Sequence, residues 1–304
     1  MPSKVGMPIE PPALVAVTGA NGFIAQHCIA ALLQHGYRVV GTVRAAAKAA
    51  AVQHAHGHHP KLTVAVVADI TDPAQYRAVL APLAPAAVLH LAAPFHYRAT
   101  DFETELMVPA VRGATAILDA CAAIPDAPTA YRASKTAAER AAWAFMKDRP
   151  VAFDMVSLCP AMVFGPFLPK ARPRAVADVN TSNRIVWGVV SAGRAAPVPP
   201  TKGPVWVDVR DVADAHVRAL VVPEAGGGRY LLAQGVYCNQ EIADVARRVA
   251  PMADRIPVGT PGTREAQGHF GVDAAETERV LGVKWRGLDE CLRSLVPQLF
   301  EMEE

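Results

Sequence analysis

Val15-Ala-Val-Thr-Gly19-Ala-Asn-Gly22-Phe-Ile-Ala25 is the stretch that decides the fold. A short apolar run reads as a buried strand, and a glycine-bearing turn follows it. Gly19 permits a tight turn. Gly22 lets the backbone approach a diphosphate closely, and a helix opening just after it offers free N–H groups and the positive end of its dipole. Ala25 takes the third small position, where helix and strand pack. The spacing is G-x-x-G-x-x-A rather than the commoner G-x-G-x-x-G. Two glycines alone are a weak signal, but between a first strand and a first helix they predict a nucleotide site. Gly19, Asn21, Gly22, Phe23 and Ile24 are the residues expected around the phosphates.

Outward from this turn the pattern repeats. Residues 13–18, 38–43, 62–68 and 87–91 read as apolar strands, and 22–35, 45–55 and 73–80 as the helices between them. Fully apolar strands separated by helices predict a parallel sheet covered on both faces, an α/β doubly wound Rossmann sheet. Past Pro160 the texture changes, and residues 165–204 and 223–271 are irregular and rich in proline and glycine. Residues 205–221 read as a strand and a helix capped by Asp211. The expected organisation is a nucleotide-binding domain over 12–165, with 205–222 returning to it. A smaller C-terminal substrate lobe is expected over 166–204 and 223–304.

The cofactor is read at the end of the second strand. An NAD site carries an acid about 20 residues beyond the glycines, to hold the ribose hydroxyls. This chain has Arg44 there, with Lys48 one helical turn later. An acid repels a 2′-phosphate, whereas these two cations on one face attract it. NADP(H) is therefore the expected cofactor. Asp69, after the third strand and followed by Ile70, fits either a hydrogen bond to the adenine amine or a turn.

Tyr131-Arg-Ala-Ser-Lys135 opens an alanine-rich stretch read as a helix, so residues 131 and 135 would share a face. A free tyrosine titrates near ~10, and a neighbouring ammonium lowers that value. Such a pair can hand a proton to a carbonyl oxygen while a hydride reaches the carbon. Alone, Y-x-x-x-K is weak. After a nucleotide-binding half it gains weight.

With these stretches in view, the sequence resembles the extended short-chain dehydrogenases/reductases. Its closest resemblance is to the dihydroflavonol 4-reductase-like branch that includes fungal aldehyde and ketone reductases. The matching segments run in order: VTGANGFIAQH (17–27), VVGTVR (39–44), VLHLAAPFH (88–96), PAVRGATAILDA (109–120), YRASKTAAERAAWAF (131–145), CPAMVFGP (159–166), NTSN (180–183) and VDVRDVADAH (207–216). The resemblance implies NADPH-dependent reduction of an aldehyde or ketone to the alcohol. Tyr131 would be the proton donor, and Lys135 its partner and a ligand of the nicotinamide ribose. It further implies that Ala92, Ala93 and Pro94 line the cofactor path and that Pro160 to Val163 pass beside the nicotinamide. Phe95 and the Asn180–Asn183 segment would face the substrate, although aromatics and Asn-rich turns equally serve structure.

One departure stands out. Residues 102–123 read as a long helix, bent or restarted near Pro109, and the next helix is expected to open at Tyr131. The seven residues between them, Ile124-Pro-Asp-Ala-Pro-Thr-Ala130, contain two prolines. A central strand takes about 5–6 residues and excludes proline, so no strand is expected before the Tyr131 helix. In the family such a strand ends in a serine or threonine that holds the substrate carbonyl. Thr129 and Ser134 are the nearest hydroxyls here, and neither is expected at a strand end. The sequence therefore reads as a reductase impaired by loss of that segment, through truncation or mis-splicing of the message. It also reads as a variant that keeps the cofactor without turnover. A nucleotide-sugar epimerase or dehydratase shares the fold, but Arg44 argues against its acidic, NAD-type pattern.

Composition excludes other classes. Of 304 residues 52% are hydrophobic and 19% charged, with a formal net charge of +2 and no basic block, so neither nucleic acid nor a membrane partner is expected. No secretory signal and no membrane span are expected. Five scattered cysteines without C-x-x-C spacing fit reduced thiols in the cytoplasm. His54, His56, His58 and His59 read as a solvated loop rather than a metal site, and no metal is expected. The expected partner is a small carbonyl compound, and the expected assembly a monomer or homodimer.

Overall fold

The computed structural model describes residues 7–93, 108–122, 130–132, 136–250, 252–264 and 271–302. The chain divides into two compact units. The first holds residues 1–159, 213–230 and 280–282, and the second holds 160–212, 231–279 and 283–304.

The first unit is built on a parallel sheet in the order β3-β2-β1-β4-β5. Its strands are β1 (Leu14–Thr18), β2 (Arg38–Val43), β3 (Leu62–Val66), β4 (Ala87–His90) and β5 (Ala130–Arg132). Five helices alternate with or follow them: α1 (Phe23–Gln34), α2 (Ala46–Ala55), α3 (Pro73–Leu80), α4 (Val108–Ala122) and α5 (Thr136–Asp148). Successive side chains of a strand point to opposite faces, and both faces are covered. Val15 and Val17 of β1 and Ala87 and Leu89 of β4 join one core with Ile29 and Leu32 of α1. Ala16 and Val88 join the other core, with Tyr76 of α3, Ile117 of α4 and Phe145 of α5. Two covered faces are the reason these strands read as unbroken apolar runs rather than alternating ones.

Three sequence expectations are corrected in this unit. The fifth sheet position is filled. Ala130–Arg132 pairs in parallel with β4, Val88 opposite Tyr131. Tyr131 is thus a strand residue, and the helix after it begins at Thr136. The prolines of 124–130 precede this short strand rather than interrupting it. The third correction concerns the 205–222 segment, of which only the part from Ala213 onward belongs to the first unit.

In the second unit β7 (Met162–Phe164) and β8 (Val205–Asp208) pair in parallel, and β10 (Gly235–Val236) pairs antiparallel to β8. Phe164 stacks on Trp206 at 6.0 Å and meets Tyr237 edge-on at 5.1 Å. β6 (Ser157–Pro160) pairs with β9 (Arg229–Leu232) in a separate two-stranded sheet. Helix α7 (Val209–Val221) is started by Asp208, whose carboxylate accepts from the Arg210 amide at 2.8 Å. Asp211, the expected cap, lies within the first turn of the helix and pairs instead with Arg286. The stretches read as irregular contain α6 (Thr181–Val190) and α8 (Asn239–Val249); α9 (Ala275–Leu281) and α10 (Leu288–Glu301) complete the fold. Helix α8 has a signal that went unread: Glu241 reaches back to the Cys238 amide at 2.9 Å, a capping-box contact before an amphipathic run.

Candidate dinucleotide site

Strand order reverses between β1 and β4, and the space beyond the carboxyl ends of these two paired strands is the place where open α/β sheets bind ligands. A cleft of about 460 Å³ opens there. Gly19, Asn21, Gly22, Arg44, Lys48, Asp69, Ile70, Ala92 and Ala93 all line it, so nine of the residues singled out from sequence meet in one place.

The turn is shaped by close approach. Gly19 has φ +66°, and a Cβ there would lie 2.9 Å from the Ala92 Cα. Neither the dihedral nor the space admits a side chain. Gly41 of β2 faces a similar limit, because a Cβ would lie 2.8 Å from that of Ala20, where the loop crosses the strand. Gly22 is the N-cap of α1; it brings no capping side chain, and no acidic residue sits in the first turn. The amides at this helix start thus suit an incoming anion. Phe23 and Ile24 supply that first turn, half-buried, without lining the cleft.

Across the cleft, Arg44 follows β2 and Lys48 lies in the first turn of α2. Asp69 accepts from the Thr71 amide at 2.8 Å and from its hydroxyl at 2.7 Å. These bonds hold its carboxyl below the usual carboxylate range. The turn reading of Asp69 is therefore realised in the structure. The residues present fit a phosphorylated dinucleotide: a close-approach turn, an uncapped helix start and two cations share one cleft.

Thr18 is a member of this site that sequence reasoning missed. Its side chain is fully buried at the end of β1. It accepts from the amides of Leu91 and Ala92, both at 3.1 Å, and lies 2.9 Å from His90 Nδ1. Since Thr18 takes two amide bonds, its own proton is free to go to the imidazole, which burial holds neutral by lowering its pKa to about 4. The hydroxyl thus ties the loop after β4 to the end of β1. A buried threonine directly before the first glycine was the available signal.

Other expectations fare differently. Pro94, Phe95 and Lys135 lie outside the described residues, and for Tyr131 the backbone alone is described. Pro160 ends β6 and Val163 is buried in β7. Asn183, expected to face substrate, is corrected: it is fully buried, and its amide group accepts from the Gly165 N–H at 3.2 Å and donates to the Gly165 carbonyl at 2.8 Å. Both ends of that side chain are engaged by backbone. Asn180, at the N-cap of α6, keeps a buried Oδ1 with no hydrogen-bond partner. His54 lies in α2 and His56 is its C-cap. Among the described residues no cluster of His, Cys, Asp or Glu could hold a metal ion, and no helix is long and apolar enough to cross a membrane.

Sheet order, phosphate turn and switch-point cleft define a dinucleotide-binding α/β protein. The chain belongs to the NAD dependent epimerase/dehydratase family, whose model matches residues 15–128 and 123–233. The two matched pieces meet at 123–128, immediately before β5. The chain is 31% identical to the ketoreductase azaE of Aspergillus niger, covering 94% of this chain and 97% of that protein. It is 30% identical to the NADPH-dependent methylglyoxal reductase GRE2 of Saccharomyces cerevisiae, covering 95% and 98%. Its structure superposes on that of yeast methylglyoxal/isovaleraldehyde reductase Gre2 complexed with NADPH with a TM-score of 0.86, at 28% identity over 95% of this chain and 98% of the other. The alignment with the yeast enzyme spans 340 positions, whereas 95% of 304 residues is about 289, so roughly 50 of those positions have no counterpart here.

Proposed function

We propose that this chain is an NADP(H)-dependent reductase that converts an aldehyde or ketone to the alcohol. The observation that carries this reading is the presence of Arg44 and Lys48 in the same cleft as the Gly19–Gly22 turn. Two cations beside a ribose favour a 2′-phosphate, and an acid at this position would favour its absence. The NADPH dependence of the yeast relative and the ketoreductase activity named for the fungal one support it.

Bound NADPH supplies a hydride to the carbonyl carbon. The protein's part is orientation and proton supply. The Gly22 helix start neutralises the diphosphate, and Arg44 and Lys48 hold the 2′-phosphate. Asp69 and Ile70 flank the adenine, with Asp69 keeping its second carboxylate oxygen for it. Ala92, Ala93 and Pro94 would line the cofactor path, and Pro160 and Val163 are the further residues assigned to the nicotinamide by the family resemblance. The Tyr131 phenol gives its proton to the carbonyl oxygen, with Lys135 favouring the phenolate left behind. Phe95 and Asn180 contact the substrate. The partner is a small carbonyl compound, the five cysteines, none of them in a disulfide, fit the cytoplasm, and the assembly is a monomer or homodimer.

The reading is tested by binding. Arg44→Ala with Lys48→Ala is expected to weaken NADPH about 10- to 100-fold and to leave NADH within about twofold, consistent with loss of two charge-assisted contacts. Equal weakening of both nucleotides by titration calorimetry would reject the 2′-phosphate assignment.

A second reading is favoured by the strand position of Tyr131. In β5 the tyrosine is not on the helix that follows, and the family match is interrupted just before it. This supports a protein that binds NADP(H) with little or no turnover, the segment bearing the family's serine being lost. It predicts tight NADPH binding without NADPH consumption across a panel of aldehydes and ketones. Consumption at the rate of ordinary reductases, about 1–10³ per second, would remove it.

A further inference from the structure

A buried carboxylate outside the cleft joins three elements of the first unit. Glu139 lies one turn into α5, and its side chain is 7% exposed. It accepts from the hydroxyl of Ser157, the first residue of β6, and from Arg229 Nε, the first residue of β9, at 3.0 Å. Trp143 Nε1 lies at 3.4 Å on the next turn of the same helix, and Cys159 Sγ lies 3.9 Å from both carboxylate oxygens. Ser157 is fully buried, whereas the Arg229 side chain is 58% exposed. A carboxylate removed from water in this way is stable only because donors replace its hydration.

The elements it joins matter because of where they lead. The cleft described above covers the β1–β2–β3 side of the switch point and ends at Ala92 and Ala93, beyond β4. A dinucleotide held there by its adenosine half must continue over β4 toward β5 and the start of α5, because the two halves of such a ligand straddle the switch point. Glu139 fixes the start of α5 to the beginning of β6. Among the described residues β6 pairs with β9 and not with β5, so this side-chain contact links α5 to β6.

We infer that Glu139 is a positioning residue for the nicotinamide half of the cofactor, acting through Ser157 and Arg229 and touching no ligand itself. The inference rests on the proposed NADP(H) site. Its signature is a split between two ligands that share the adenosine half: NADPH depends on the α5–β6 side, and 2′,5′-ADP does not. Glu139→Gln keeps the shape and removes the charge that holds Arg229. It is expected to lower the ratio of NADPH affinity to 2′,5′-ADP affinity about tenfold, with 2′,5′-ADP binding within about twofold of the parent chain. Arg229→Ala changes an exposed side chain, so the fold is retained, and it should shift the ratio in the same direction by a smaller factor. A purely structural role predicts that both ligands weaken together, or that melting temperature falls with the ratio unchanged; either result overturns the inference. Should Glu139→Gln not fold, an unchanged ratio in Arg229→Ala is enough to overturn it. Failure of the parent chain to bind 2′,5′-ADP would reject the cofactor site itself, and with it this inference; binding of 2′,5′-ADP by the parent with no ratio change in the variants rejects the inference alone.

Discussion

Thr18 shows how much of a binding site can depend on one hydroxyl that touches no ligand. It is completely buried and engages the amides of Leu91 and Ala92 together with His90. Ala92 in turn is the residue that leaves Gly19 no room for a side chain. The geometry of the phosphate turn therefore runs from a glycine, through an alanine beyond the neighbouring strand, back to the threonine that directly precedes that glycine. Thr18→Val has nearly the same volume but leaves both amides without this acceptor, which costs about 1–3 kcal/mol. The expected outcome is a lowered denaturant midpoint with weaker NADPH binding, while Thr18→Ser keeps both near the parent values. A valine variant with unchanged stability would show that the two amides find another partner.

At the level of elements, legibility followed burial and periodicity. β1, β2 and β4 were readable because a strand covered on both faces must be apolar throughout, and the turn residues between them are constrained by backbone geometry. The cleft was equally readable, since its ligands are backbone amides, close-approach glycines and cations whose spacing the strand–turn–helix unit dictates. Three things were not. β5 is three residues long, too short for a period-two pattern, and it takes the tyrosine that a four-residue spacing had assigned to a helix. β8 reads as a strand but gives no sign of its partners; pairing with β7 and β10 removes it from the main sheet. Asn183 in an Asn-rich segment suggests a ligand, yet its amide completes the backbone bonding of Gly165, which has φ +138°. Such long-range pairings have no local signature. The proline density of residues 124–130 is plain in the sequence, and the two pieces of the family match overlap beside it, at 123–128.

For the molecule as a whole, the ionisable groups of the first unit set a direction for acid stability. His56 and His90 are both lowered from 6.5 to about 4 by burial, His56 also by the neighbouring charges of His27 and His59. Each is held neutral in the fold and protonates more readily once unfolded. The unfolded chain therefore binds more protons between pH 6.5 and 4, and stability falls as pH drops through that window, by up to about 1.4 kcal/mol per unit for the buried His90 and by less for the partly exposed His56, whose charge solvent screens. Asp211, in the second unit, has the opposite sign. Burial raises it from 3.8 to about 6 against the pull of Arg286, so its contribution is present at low pH and is lost as pH rises through 6. Two histidines outweigh one carboxylate, and the first unit carries both. Acidification from pH 7 to 5 is thus expected to lower the melting temperature. His90→Asn, which still accepts from Thr18 but does not titrate, should remove the larger part of that slope. A melting temperature that rises on acidification, or a slope unchanged in the asparagine variant, would mean that these imidazoles are protonated inside the fold, and that the tie between β1 and β4 is made by a charge rather than by a neutral acceptor.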